Sequence, residues 1–359
     1  MKRLVFGFST LIFMFSVVSV SSIAGTPAKK ERPGWHLMSI PSQKIHATFK
    51  STLYYPSFRV THWSLMMSRC PTLPCQTVTA VSMSVPGVMD SVPESTEVSI
   101  YKRPIFLAQV PVSGSQFSNT ITIQATYDII TRARWLERGD PSERVEVISD
   151  REKSLYTNST KMSDIDSPIF QAFLSDNRLR KPASESEIDF AYRAYKFIKS
   201  KYHYAIGNGE DFSASHVCTI NTLNCGSASN IFVAILRASN ISARQLVGRL
   251  AKSGNPGEIW AQAHVKAEFY ASRIGWIPVD MAPALGKPDE NDKNYFGSDD
   301  GKFIVTHHST DLVIDTKHFG NQELAGAQSL SIWVDGKGTF AGFQQPEDWL
   351  VKSTDLLPK

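Results

Sequence analysis

One stretch decides the fold of this chain: residues 224–238, which read NCGSASNIFVAILRA. From Ile231 onward the stretch is apolar apart from Arg237, so it predicts a central helix that is buried on most of its circumference. Asn240 suits a left-handed residue at the helix exit. Cys225 opens the helix, where the positive end of the helix dipole lowers the pKa of a thiol.

Two predicted strands follow, over residues 264–270 (HVKAEFY) and 275–280 (GWIPVD). A short turn joins them, so we expect antiparallel neighbours. They carry His264 and Asp280 to one region. A thiol, an imidazole that accepts its proton and a carboxylate that orients the imidazole can support nucleophilic catalysis. Cys225, His264 and Asp280 are therefore the candidate catalytic residues.

Each of these residues also has an ordinary explanation. A single cysteine is more often buried and inert, a single histidine on a strand is more often part of the core, and Asp280 suits a turn. A disulfide between Cys218 and Cys225 is the main structural alternative, and it would end the catalytic interpretation.

The other two cysteines, Cys70 and Cys75, bracket Pro-Thr-Leu-Pro in a short loop. In an exported protein this spacing favours a small-loop disulfide. A zinc site would need a second ligand pair at similar spacing, and the sequence has none.

The first half of the chain alternates with period two. In the ten residues from Thr120 to Ile129 the odd positions are apolar and the even positions polar, and Val98 with Ile100 repeats the pattern. Proline and glycine clusters separate these runs. The pattern predicts an antiparallel β-sandwich.

The second half changes to helical spacing. We expect a polar linker with a short helix around Ile169 to Leu174, and then a helix that begins with a capping box of Ser184 and Glu187. The predicted organisation is a signal peptide (1–24), a β-sandwich domain (25–155), a linker (156–184), a catalytic domain (185–320) and a C-terminal extension packed on the core (321–359).

The N-terminus resembles a secretory signal. Lys2 and Arg3 precede an apolar run, and small residues lead to Ala24, which predicts cleavage there and an exported protein, periplasmic or secreted. A membrane anchor from Leu4 to Ala24 is the alternative. We expect no stable membrane insertion after cleavage. With a net charge of +4 over 359 residues and no block of basic residues, the sequence does not indicate a nucleic-acid partner.

Together these segments resemble the transglutaminase-like superfamily. The Asn224-Cys225-Gly226 helix start, the histidine strand and the Gly-Trp-x-Pro-Val-Asp strand match its motifs, and a fourth segment, YFGSDDG at 295–301, is similar to exported bacterial members. The likeness covers about residues 185–315. It implies an α+β protein in which the antiparallel β-sandwich precedes a papain-like, transglutaminase-like α/β domain.

The resemblance also implies roles. Cys225 would be the nucleophile, His264 the general base and acid, and Asp280 the group that orients His264. The backbone N–H of Cys225 is a natural oxyanion donor. Thr219, Asn221 and Asn224 are unranked candidates for a side-chain donor. Lys266 stands where many members have tryptophan, and we expect its charge to depress the pKa of His264.

The predicted function is acyl transfer through a thioester at amide bonds of a peptide or protein substrate. The sequence has no calcium loop of the acidic, glycine-turned kind, so a peptidase or amidase ranks before a cross-linking transglutaminase. A non-catalytic secreted binding protein is the competing class. No cofactor and no metal are expected, since His307 and His308 point to opposite faces of a strand. The oligomeric state is open.

Overall fold

The front of the molecule consists of two antiparallel sheets. The computed structural model describes residues 34–139, 147–206, 211–254 and 262–357. The predicted signal peptide, residues 1–24, lies outside this part of the chain. Among the described residues, every helix is too short or too polar to cross a bilayer.

The strands have the following bounds: β1 Trp35–Tyr54, β2 Phe58–Ser68, β3 Gln76–Ser84, β4 Glu94–Thr96, β5 Pro104–Pro111, β6 Thr120–Arg138, β7 His203–Tyr204, β8 Thr222–Leu223, β9 Ala243–Leu250, β10 Ala263–Ala271, β11 Gly275–Val279, β12 Ser298–Asp299, β13 Phe303–His308, β14 Leu312–Asp315, β15 Asn321–Leu324, β16 Ser331–Gly338 and β17 Glu347–Asp355. The helices are α1 Asp150–Leu155, α2 Pro168–Asp176, α3 Glu187–Lys201, α4 Ala214–Val217, α5 Cys225–Arg237 and α6 Met281–Gly286, and a 3₁₀ turn spans Asp292–Asn294.

The larger front sheet runs β12-β6-β1-β17, with β3 also paired to β6, and the second runs β16-β2-β5-β4. The alternation predicted for β6 is confirmed, because the odd positions from Ile121 to Ile129 are buried. These residues meet Phe49 of β1 and Trp63 and Leu65 of β2 in one apolar core between the sheets. The front half is therefore an antiparallel sandwich, as the pattern predicts.

The last strands of the chain complete both front sheets. β17 pairs with β1, with Gln43 opposite Asp355, and β16 pairs with β2, with Met66 opposite Ser331. From Gly34 on, the residues that the structure describes form one compact unit. The order of the sheets therefore does not follow the order of the chain, since the final residues return to the sandwich.

Helices and a second sheet form the rest of the molecule. The sheet runs β11-β10-β9-β13, and α5 packs on it with Phe232 against Phe269 of β10. The predicted helix α5 and its left-handed exit are confirmed, because eleven of its residues from Ser227 on are buried and Asn240 has φ 58°. The antiparallel pair of strands is also confirmed, with Ala267 opposite Val279.

Two local predictions are wrong. Helix α3 is capped by Ser186, whose side chain accepts from the N–H of Asp189, so the predicted capping box of Ser184 with Glu187 does not form. Val98 and Ile100 do not continue a strand and are 40% and 52% exposed. The buried Glu97 carboxylate accepts from the backbone N–H groups of Ser99 and Arg103 and closes a turn there.

Candidate active site

Cys225 lies at the start of α5, and a capping box fixes that start. The Asn224 side chain accepts from the N–H of Ser227 at 3.0 Å, and the Ser227 hydroxyl accepts from the N–H of Asn224, also at 3.0 Å. Asn224 is extended, with φ −95° and ψ −174°. The N–H of Cys225, the first helical residue, has no partner within the helix ladder and remains available to a ligand.

Gly226 is required by the close packing of this turn. A Cβ there would lie 3.3 Å from both Asn224 Oδ1 and Phe212 Cε1, which is tighter than most contacts of this kind. A side chain at position 226 would therefore press on the helix cap and on the Phe212 ring, and both would have to move by a few tenths of an ångström.

The pairing of β10 with β11 brings His264 to Asp280. His264 Nε2 lies 2.9 Å from Asp280 Oδ2 and 3.0 Å from Oδ1. Because an ionised carboxylate only accepts hydrogen bonds, Nε2 carries the proton and Nδ1 is the nitrogen left to act on Cys225. The N–H of Asp280 donates to the carbonyl of Tyr295 at 2.8 Å and holds the carboxylate at the end of β11.

The environment of His264 favours its protonated form. Burial lowers the pKa of His264, but the Asp280 charge and hydrogen bond, followed by the hydrogen bond and charge of Cys225, raise it to about 9. Cys225 therefore lies within interaction distance of His264. At neutral pH the imidazolium is therefore the stable form.

The predicted effect of Lys266 on His264 is wrong. Lys266 shares the face of β10 with His264, as expected, but its ammonium binds Asp299 Oδ2 at 2.8 Å and lies 3.8 Å from Asp280 Oδ2. The two carboxylates neutralise it. The pKa of His264 is raised, not depressed, and Lys266 is not among the main causes of that shift.

Asp299 is a residue of this site that the sequence reasoning missed. Its side chain is 7% exposed, and its second oxygen accepts from the N–H of Gly301 at 2.7 Å. Burial favours the neutral carboxyl, but Lys266 and Arg134 outweigh it and lower the pKa of Asp299. The Asp-Asp-Gly turn in the segment 295–301 is the feature of the sequence that could have pointed to Asp299.

Tyr204 is a second residue that the sequence did not single out. It lies on β7, which pairs in parallel with β8 just before the Cys225 helix. Burial, the Cys225 charge and the Asp280 charge all raise the pKa of Tyr204, so its phenol lies within electrostatic range of both groups.

Among the candidate side-chain oxyanion donors, Thr219 is already engaged, because its hydroxyl donates to the carbonyl of His216 at 2.7 Å. Asn224 caps α5 through Oδ1, which accepts, whereas its donor group is the amide nitrogen. Asn221 is exposed. None of the three is set apart by this geometry, so the backbone N–H of Cys225 remains the donor with a structural argument.

The four cysteines are free thiols. Cys218 packs in the helical core and donates to the carbonyl of Ser215 at 3.3 Å, so it does not pair with Cys225. The predicted Cys70–Cys75 disulfide is also absent, since both thiols are free; Cys70 packs in the sandwich core and Cys75 in a separate cluster with Leu246. Burial raises the pKa of both thiols to about 12.

Residues 176–281 match the family model described as the transglutaminase-like superfamily. This segment includes Cys225, His264 and Asp280. No curated protein matches the sequence significantly.

Solved structures add a likeness of fold. A proposed cysteine protease from Cytophaga hutchinsonii is 14% identical, with a TM-score of 0.56 over 90% of this chain and 94% of that one. The periplasmic domain of TgpA from Pseudomonas aeruginosa is 12% identical, with a TM-score of 0.32 over 68% of this chain and 94% of that one. The first likeness and the family match together identify a transglutaminase-like fold.

Proposed function

We propose that this protein is an exported cysteine-dependent acyl-transfer enzyme that acts on amide bonds of peptides or proteins through a thioester. The observation that carries the proposal is the contact series from Asp280 through His264 to Cys225 at the start of α5. A thiol in such a series has a base, a positioning group for that base and an anion-stabilising helix end.

The chemistry follows from these three side chains. The Cys225 thiolate attacks the amide carbonyl carbon, and the developing oxyanion accepts from the N–H of Cys225. The C–N bond then breaks, and the His264 imidazolium gives its proton to the leaving amine, which leaves a thioester. Water attacks the thioester, loses a proton to His264 and releases the acid and the thiolate.

Hydrolysis is the simplest outcome, since water needs no binding site of its own. Transfer to an amine would need a second site for the acceptor. We therefore place peptidase or amidase activity before cross-linking. Incubation with a peptide substrate and a primary amine separates the two, because only transfer yields the amine-linked product.

The proposal is tested by alkylation of the native, unreduced protein across pH, with the label mapped to residues. We expect Cys225 to be labelled well below pH 8, because His264 stays protonated up to about 9 and stabilises the thiolate. The variant His264→Ala should lose this reactivity at low pH, while Cys218 stays unlabelled in both proteins.

Labelling of Cys225 only above its ordinary thiol pKa, or only after reduction, would contradict the enzyme proposal and favour a binding protein with this fold. Export is tested separately by N-terminal sequencing of protein secreted by a bacterial host. A mature chain that begins near Gly25 supports cleavage after Ala24, and an uncleaved N-terminus would contradict it.

A further inference from the structure

A cavity of about 100 Å³ lies beside the first turn of α5. Gly226, the residue after Cys225, lines it, and Val265 lines it from the face of β10 opposite to His264. Gln328 lines it as well and donates to the carbonyl of His264 at 2.7 Å. A substrate held at Cys225 would therefore have this cavity within about one residue of its scissile amide. The volume exceeds the roughly 10–15 Å³ that one water needs.

The wall of the cavity holds a buried acceptor. Gln245 is 0% exposed, and its Nε2 donates to Asn230 Oδ1 at 2.6 Å. Asn230 Oδ1 also accepts from Ser163, and Asn230 Nδ2 donates to the carbonyl of Phe212. These contacts fix both amides. Gln245 Oε1 is consequently turned away from Asn230, and it has no partner among the residues that the structure describes.

Among the residues that the structure describes, the rest of the lining carries no charge. It is made of apolar or neutral side chains from α5, β9, β10 and the loops near residues 310 and 326: Phe212, Val247, Thr310, Ala325 and Gly326. A charged group placed here would lose its hydration without a counter-ion. A neutral group with an N–H or O–H at its end would instead satisfy Gln245 Oε1.

We propose that this cavity is a substrate subsite that accepts an uncharged side chain with a terminal hydrogen-bond donor, of the serine, threonine, asparagine or glutamine class. The side chain belongs to the residue next to the scissile amide. The subsite rests on the proposed function of Cys225, since the substrate is the source of the side chain.

Cleavage of a mixed peptide library, read by mass spectrometry, tests the preference. The native protein should favour these neutral residues next to the cleaved bond by on the order of tenfold over Asp, Glu and Lys. Gln245→Leu removes the acceptor and should abolish the preference. Gly326→Leu fills the cavity and should do the same, since a Cβ at Gly326 meets only ordinary contacts at 3.7 Å. Ala172→Leu on the exposed side of α2 is the matched control and should cleave with the native preference.

A binding experiment separates failure of the subsite from failure of the proposed chemistry. The variant Cys225→Ala, with isotope-labelled glutamine side chains, is titrated with propionamide and with propionate. We expect propionamide alone to shift the Gln245 amide signals, and Gly326→Leu to prevent it. If propionamide shifts these signals but the native protein cleaves no peptide, the subsite is supported and the proposed enzyme activity is overturned. Cleavage without a preference, or equal shifts with both probes or with neither, would overturn the subsite and leave a cavity that holds water only.

Discussion

His264 and Glu268 lie four residues apart on the same face of β10, yet their surroundings differ. The His264 side chain is 14% exposed, binds Asp280 through Nε2 and interacts with Cys225. Glu268 is fully buried between Arg244 at 2.7 Å and Arg134 at 3.0 Å. Burial would raise the pKa of Glu268, but the two guanidinium groups outweigh the effect of burial and lower that pKa.

One end of β10 therefore carries the reactive groups, and the other end carries buried charges that anchor the sheet. At the Glu268 end the charges meet each other in the interior, and Arg134 belongs to β6, so this cluster ties the second sheet to the sandwich. At the His264 end one nitrogen remains for chemistry next to an accessible thiol. Lys266 lies between the two ends and is neutralised by Asp299. We therefore expect substitutions at one end to change activity and those at the other to change stability.

The largest effect is expected at the nucleophile. Cys225→Ala should lower turnover by on the order of 10⁴-fold or more, because the thioester cannot form. The melting temperature should change little, since Cys225 is only partly buried. Peptide cleavage and thermal unfolding measure both. Cys218→Ala is the matched control; if it lost as much turnover as Cys225→Ala, the assignment of the nucleophile would be wrong.

At the anchoring end, Glu268→Gln should destabilise the protein by about 3–5 kcal/mol, because two buried guanidinium groups lose their counter-charge. Urea unfolding measures this. Turnover per folded molecule should stay within a few-fold of the native value. The control is Glu323→Gln in the exposed pair with Lys161, which should leave the urea midpoint unchanged. Equal losses of unfolding free energy in both variants would contradict the expectation that the buried pair stabilises the protein more than the exposed pair.

Between the two ends, Lys266→Met should cost about 3 kcal/mol, the lower end of the range for a broken buried pair. Asp299 then lies buried without its ion-pair partner and keeps only the charge of Arg134, whereas Asp280 keeps His264. The double variant Lys266→Met with Asp299→Asn should recover most of the lost free energy of unfolding. In Lys266→Met the apparent pKa of the alkaline limb of the pH–rate profile should stay unchanged. A shift of more than about half a pH unit in either direction would show that Lys266 does act on His264.

The smallest expected effect is a difference between two variants in the pKa of His264, which ranks the groups that stabilise its protonated form. Its pKa of about 9 should fall in both Asp280→Asn and Cys225→Ala, and further in Asp280→Asn, because the carboxylate contributes more than the thiol. Each unit corresponds to about 1.4 kcal/mol. Imidazole titration by NMR measures the order, and a larger fall in Cys225→Ala would reverse it.

The same shift gives a pH dependence of stability. The folded pKa of His264 lies above its ordinary 6.5, so its contribution is complete below pH 6.5 and is lost as the pH rises through about 9. The native protein should therefore lose stability across this window in urea unfolding, and Asp280→Asn should lose less. An identical slope in both proteins would contradict the raised pKa.

Periodicity and capping preferences act over a few residues, and these features could be predicted. The alternation of β6, the buried helix α5, its exit at Asn240 and the antiparallel pairing of β10 with β11 all follow from local spacing. The sequence therefore identified the fold class and placed Cys225, His264 and Asp280 as the candidate site.

Only the tertiary structure decided the partners of charged groups and thiols. Arg134 meets Glu268 across 134 positions of the chain, and Lys266 is neutralised by Asp299 through a pairing of β12 with β6. Cys70 and Cys75 are close in sequence but belong to different cores. Electrostatic partners and burial depend on which surfaces face each other, and a local pattern carries no such information. The sequence alone determined which groups could react, and the fold determined which of them are neutralised and which remain available.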